Sequence, residues 1–321
     1  MKYSGIGGQA VMEGIMMKNG DAYAVAVRKP DQEIMVETSS YSGVAQNKKI
    51  KKLPILRGVF SFVESLTLGL KSLTFSASFF EEEEEKEKKT DKKKEDFLMG
   101  MTVAASVVMA IGIFMILPYG ISLLFRECIS SQWLTALLEG ILRLCIFLGY
   151  VAGISLMSDI KRVYMYHGAE HKCINCIEHG MDLTVENVRK SSRLHKRCGT
   201  SFLLIVMIVS ILFFMLIRVD SPILRLVLRL ALIPVIAGVS YEFIRLAGKS
   251  DNGLVNLLSK PGLLLQKITT REPDDAMIEV GIASVEAVFD WKTYVNEING
   301  SQSGSVSVKE TDTVRQTEGG S

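Results

Sequence analysis

Between His167 and Cys198 the chain places all four of its histidines and three of its five cysteines. The stretch opens with His167, Glu170 and His171 in the order HxxEH and closes with His195 and Cys198 in the order HxxC. Positions i, i+3 and i+4 share one face of a helix, so His167, Glu170 and His171 are expected to point the same way and to act on one ion. Imidazole nitrogens, thiolates and carboxylates are the ligands zinc takes in a tetrahedron, closed in structural sites and open to water in catalytic ones. With His167, His171, His195 and Cys198 all bound, the shell closes. With one of them withdrawn, water enters and is acidified toward neutral pH, and Glu170 stands where a general base belongs. HxxEH also matches the inverted zinc-protease signature, although the soluble domain and downstream acidic ligand of those proteases are not recognisable here. The bland alternative for His167 and His171 is a membrane-proximal helix whose imidazoles bond phosphates or carbonyls; for Cys198 it is a buried small residue beside Gly199.

Cys173, Cys176 and His179 form a secondary ligand set, CxxCxxH, directly after the first. A CxxC is either a redox pair or half of a zinc site, and no second CxxC accompanies this one.

The elements that must position these residues are apolar. With 321 residues, 48% hydrophobic content and a mean hydropathy of +0.25, the composition points to a membrane protein. The net charge of +2 says nothing about nucleic acid, because the basic residues cluster in particular loops; no basic patch with interleaved aromatics is present, so no nucleic-acid partner is expected. The opening MKYSGIGGQAVMEG has no charged region followed by an apolar core, so no cleavable signal peptide is expected. About 20 apolar residues are needed to cross the hydrocarbon layer. Four stretches qualify: Phe97 to Phe125, Trp133 to Met157, Thr200 to Ile217 and Pro222 to Leu246. Lys161, Arg162, Lys172, Arg189, Lys190, Arg193, Lys196 and Arg197 crowd the loop between the hairpins, whereas each hairpin turn holds a single arginine. The positive-inside rule therefore places that loop and both termini in the cytoplasm of a multi-pass membrane protein. A reducing compartment leaves Cys173, Cys176 and Cys198 as thiols or metal ligands.

The expected fold class is a mainly α membrane protein with about four transmembrane helices in two hairpins, a small β-rich N-terminal unit and a cytoplasmic helical loop. Residues 1–53 form the β-rich unit, with Ala22 to Val27 and Glu33 to Glu37 as strands; the glycines around GGQAVMEG read as a tight turn or close backbone packing. Residues 54–80 read as an amphipathic helix lying in the interface, with a fifth crossing as the alternative. A charged linker fills 81–96, transmembrane hairpins fill 97–157 and 200–246, and the His/Cys loop fills 158–199. A cytoplasmic segment at 247–298 precedes a disordered tail at 299–321. Thr184 is expected to cap a short helix over Val185 to Leu194, and Asp274 or Asp275 a second one toward Trp291. Inside the spans, Glu139 and Arg229 come to similar depths, which predicts an interhelical ion pair.

GGQAVMEGIMM, LPILRG, YHGAEHK, RLHKRCGTSFLLIVMIVSIL and TTREPDDAMIEV together resemble the YqhQ family of bacterial membrane proteins, over nearly everything from Gly7 to about Val288. The resemblance implies a metal-dependent enzyme of unknown role and supports His167, Glu170, His171, His195 and Cys198. It adds Glu13 and Arg57 as members of family-like motifs; the Cys173 and Cys176 pair is not part of the pattern. The expected function is a zinc-dependent hydrolase, or one using another divalent transition metal. Its site faces the cytoplasm and acts on an anionic or lipid-linked substrate at the bilayer. The competing expectation is a nonenzymatic assembly or scaffold protein in which a closed zinc site pins the loop. A transporter has little support, since no paired broken helices are evident.

Overall fold

The computed structural model describes residues 3–41, 43, 52–80, 92–125, 129, 131–217, 219, 221–250 and 252–300. Most of the 81–96 linker and of the 299–321 tail lies outside the described residues. The chain divides into two compact units: Met1–Ser42 with Arg162–His195 and Thr270–Ser321, and Gly43–Lys161 with Lys196–Thr269.

The first unit is an antiparallel meander of β1 (Gly7–Val11), β2 (Gly14–Asn19), β3 (Ala22–Arg28) and β4 (Ile34–Ser40) in sequence order. The two expected strands correspond to β3 and β4. GGQAVMEG proves to be β1 and its turn into β2, where the sequence predicts a tight turn or close backbone packing but no strand. Its glycines weaken the strand signal because they bring backbones together: a Cβ on Gly14 would collide with the Ala26 carbonyl, and one on Gly8 would come within 2.6 Å of the Met16 carbonyl. Ile15, Met17 and Ala26 of the sheet pack on Tyr166, Ala169, Cys173, Ile174 and Ile177, with Met277 and Ile278 completing one core.

Those middle residues belong to a helix that is numbered with the rest in chain order. The helices are α1 (Leu56–Ala77), α2 (Lys92–Ile111), α3 (Leu117–Leu123), α4 (Gln132–Ile154), α5 (Ser158–Glu178), α6 (Val185–Lys190), α7 (Gly199–Met215), α8 (Pro222–Lys249), α9 (Gly253–Thr269) and α10 (Asp275–Glu286). A π-helical turn, Gly112–Ile116, joins α2 to α3. The caps are those the sequence predicts: Thr184 accepts from the Asn187 amide at 3.3 Å, and Asp274 from the Met277 amide at 2.8 Å. A further helix covers 291–300.

Among the described residues of the second unit, three helices are long and apolar enough to cross a membrane, Phe97–Leu123, Trp133–Ile154 and Ile223–Lys249; α7, the fourth expected span, is a shorter apolar helix of 17 residues. The helical residues of α7 end at Met215, which leaves it shorter than the other three. Helix α1 packs on α8. It buries Gly58, Glu64, Leu68, Gly69, Ser72 and Ser76 while Val63, Leu66, Leu70 and Leu73 stay exposed. Its Arg57 forms a bidentate ion pair with Glu242 of α8. Glu139 and Arg229 pair as the sequence predicts, through two hydrogen bonds of 2.6 and 2.7 Å.

Candidate metal centre

Helix α5 is buried along its whole second half, from Gly168 to Glu178. An all-round buried helix is ordinarily apolar, yet this one carries Glu170, His171, Lys172, Asn175 and Glu178, each exposed by 5% or less. Buried polar groups without partners cost about 1–3 kcal/mol each, so the partners decide what the helix is for.

They are mostly backbone carbonyls of the turn after α6. Lys172 donates to the carbonyls of Arg189 and Ser191 at 2.9 and 3.0 Å, and Asn175 to those of Ser192 and Leu194 at 2.6 and 3.0 Å. Nδ1 of His171 lies 2.7 Å from the Arg193 carbonyl. A carbonyl only accepts, so Nδ1 carries the proton and Nε2 presents a lone pair, the tautomer and orientation of a metal-binding imidazole. Glu178 accepts from the amide and hydroxyl of Ser4 at 2.9 and 2.6 Å and faces Nε2 of His195 at 3.4 Å. An ionised carboxylate fixes Nε2 as the protonated nitrogen of His195 and leaves the lone pair on Nδ1.

A second strap closes over the same helix. Gly168 lets the Arg271 carbonyl approach where any Cβ would collide, and the Arg271 amide donates to the Tyr164 carbonyl at 2.8 Å. Glu272 then pairs with Lys172 at 2.9 Å and with Arg193 at 3.3 Å. This is what the TTREPDD segment does: it fixes the far side of the turn that carries His195.

The rings follow from these restraints. Centroids of His167 and His171 are 4.4 Å apart, and those of His171 and His195 5.8 Å apart. Among the described residues, His167, His171 and Cys198 form a group whose ligating atoms all lie within 4.8 Å of one another, and the three side chains can hold a metal ion. His195 and Glu170 are not in that group. Glu170 is buried at 5% exposure, with Gly8 of β1 so close that an added Cβ would stand 3.0 Å from its Cγ.

The profile of the family described as "Protein of unknown function (DUF1385)" matches residues 53–291. The chain belongs to the DUF1385 family. It is 37% identical over 286 residues to "Uncharacterized protein YqhQ" of Bacillus subtilis (strain 168), covering 87% of this chain and 90% of that protein. No solved structure matches.

Each member of the secondary ligand set has other contacts in this DUF1385 chain. Cys173 packs in the core, where a Cβ on Gly281 would meet its sulfur at 2.8 Å. Burial, then the neighbouring Cys176 and Glu170, pushes the Cys173 thiol pKa far above its ordinary range. Cys176 rests its sulfur 3.4 Å from the Asp182 carbonyl, and burial pushes its pKa up to about 11. The His179 ring turns back onto the Asn175 carbonyl at 2.7 Å.

Sequence reading missed Lys172, Asn175 and Glu178. The signal was present, since three polar residues follow His171 at helical spacing inside a stretch that must be buried to bring HxxEH and HxxC together. Glu13, noted only as a motif member, sits in the β1–β2 turn at φ 48°. Arg162 of α5 grips both its oxygens at 2.5 Å and the Tyr166 hydroxyl lies 3.2 Å away. The left-handed backbone is strained for glutamate, and the ion pair holds it there one turn before His167.

Proposed function

We propose that this chain is a membrane protein with a transition-metal centre of the zinc type, and that the centre serves a hydrolase acting at the cytoplasmic face on an anionic or lipid-linked substrate. The observation that carries the metal reading is the grouping of ligating atoms of His167, His171 and Cys198 within 4.8 Å of one another, and the Nδ1 contact of His171 with the Arg193 carbonyl supports Nε2 as its donor. Cys198 and His167 are the other ligands, and His195, oriented by Glu178, is the fourth donor on this reading. A metal bound there would supply Lewis acidity to water or to a substrate oxygen. Glu170, one turn from His167 on the same helix, takes and returns the proton. The three apolar helices support membrane association; the basic loop supports a cytoplasmic site, and α7 supplies a fourth crossing at the short end of the spanning range.

One observation favours a second reading. His171, His195 and Cys198 are exposed by only 1%, 4% and 4%, and a buried shell that includes a thiolate suits a closed structural site in a scaffold or assembly protein.

Metal analysis of the detergent-purified full chain tests the centre first. One equivalent per chain is expected, lost in His171→Ala and Cys198→Ser and kept in Glu170→Gln. A wild-type chain without transition metal, or a His171→Ala chain that keeps it, sinks the reading. X-ray absorption then separates the two uses: an exchangeable oxygen ligand favours catalysis, and four protein ligands favour the structural role.

A further inference from the structure

The second unit contains a cluster that the metal reading does not use and does not depend on. Glu139 and Arg143 of α4 and Arg229 of α8 are exposed by only 2%, 3% and 4%. Glu139 takes both terminal nitrogens of Arg229 and, at 2.9 Å, one of Arg143. Arginine stays protonated at any accessible pH, so one carboxylate faces two guanidiniums and one positive charge is left over. The remaining donors find only neutral partners. Nε of Arg143 donates at 2.6 Å to the Phe114 carbonyl, which Pro118 four residues on cannot serve because it lacks an N–H. A terminal nitrogen of Arg143 reaches the Ser210 hydroxyl at 3.5 Å, and Nε of Arg229 has no hydrogen-bond partner.

Aromatic faces surround the excess charge without cancelling it. Both guanidiniums lie over Phe214, at 4.9 and 5.2 Å, and Arg229 shares Tyr119 with a third arginine, Arg225, each at 5.7 Å. Arg225 precedes Arg229 by one helical turn, about 6 Å along the axis. A lone charge in an apolar bundle is costly. Among the described residues no second carboxylate pairs with either buried arginine.

We propose that Arg225, Arg229 and Arg143 form an anion site in the apolar bundle that takes a phosphate-type group. That group is either the phosphodiester of an anionic lipid reaching in beside Arg225 or free inorganic phosphate. Guanidinium forks match phosphate oxygens, and the unpartnered Nε of Arg229 supplies a buried donor.

The full chain, delipidated in dodecylmaltoside, is melted alone and with phosphatidylglycerol, phosphatidylcholine or inorganic phosphate. The midpoint should rise by about 5 °C at saturation with phosphatidylglycerol if the source is lipid, or with phosphate if it is free. Arg229→Gln, which balances the charges, should abolish the rise. Glu139→Gln, which doubles the excess, should enlarge it. No rise with either anion, an equal rise with phosphatidylcholine, or an unchanged rise in Arg229→Gln overturns the proposal. Should the variants not assemble, native mass spectrometry of the wild-type chain decides. One retained phosphatidylglycerol or phosphate per chain supports the site, and its absence at saturating anion overturns it.

Discussion

The two units bury polar clusters of similar depth and satisfy them in opposite ways. In the first, donors on α5 end largely on backbone carbonyls: Lys172, Asn175 and His171 together take those of Arg189, Ser191, Ser192, Arg193 and Leu194. In the second, charged side chains hold one another, Glu139 between Arg143 and Arg229. A carbonyl cannot give or take a proton, so the first arrangement fixes tautomers and ring directions while leaving one imidazole nitrogen for a ligand. A charge pair between helices does something else, since its members bind each other and the loss of one strands the rest. One cluster is built to present atoms and the other to hold helices and, on the proposal above, an anion.

The comparison breaks most visibly at Glu139. Glu139→Ala leaves two buried guanidiniums without a carboxylate and is expected to cost about 3–5 kcal/mol of stability, read as a lower unfolding midpoint in anion-free detergent, with metal content unchanged. A loss of metal in that variant would show that the two clusters are not independent.

In the first unit the same kind of change should act on affinity. Asn175→Ala and Glu178→Gln remove supports of the turn and of His195, and each is expected to weaken metal binding by about 10–100-fold. Chelator competition measures this against wild type. If both variants bind metal as tightly as wild type while melting several degrees lower, α5 is held by these bonds for packing alone and the positioning role fails.

What could be read from the sequence follows the range of each interaction. Helix caps at Thr184 and Asp274, the strands β3 and β4, and the Glu139–Arg229 pair were all legible because each rests on local chemistry or on a strong penalty for an isolated charge. Strands β1 and β2 were not, since Gly7, Gly8 and Gly14 erase the alternation that marks a strand, and the reason for Gly8 and Gly14, contact with Met16, Ala26 and Glu170, is visible only once the sheet is folded. HxxEH and HxxC carried the convergence of His167, His171 and Cys198. The restraints behind it lie in carbonyls, which have no sequence signature at all. The end of α7 is similarly hidden: Leu216 and Ile217 are apolar enough to continue a helix, yet they lie past its last helical residue, Met215.

The smallest effect concerns which sulfurs of the first unit can be anions. Cys176 is fully buried with its thiol pushed up to about 11 from an ordinary 9.0, by burial first, against a lowering hydrogen bond from Ser191. A thiol is neutral when protonated, so a raised folded pKa means the folded chain holds that proton more tightly than the unfolded one does. The resulting contribution to stability is complete below about pH 9 and fades as pH rises through 11. Urea midpoints of wild type and Cys176→Val, compared from pH 8 upward, should therefore converge across that window. A gap that stays constant would mean the sulfur is already a thiolate at neutral pH, as a ligand would be. That outcome would move Cys176 from the packed core into the metal centre beside Cys198.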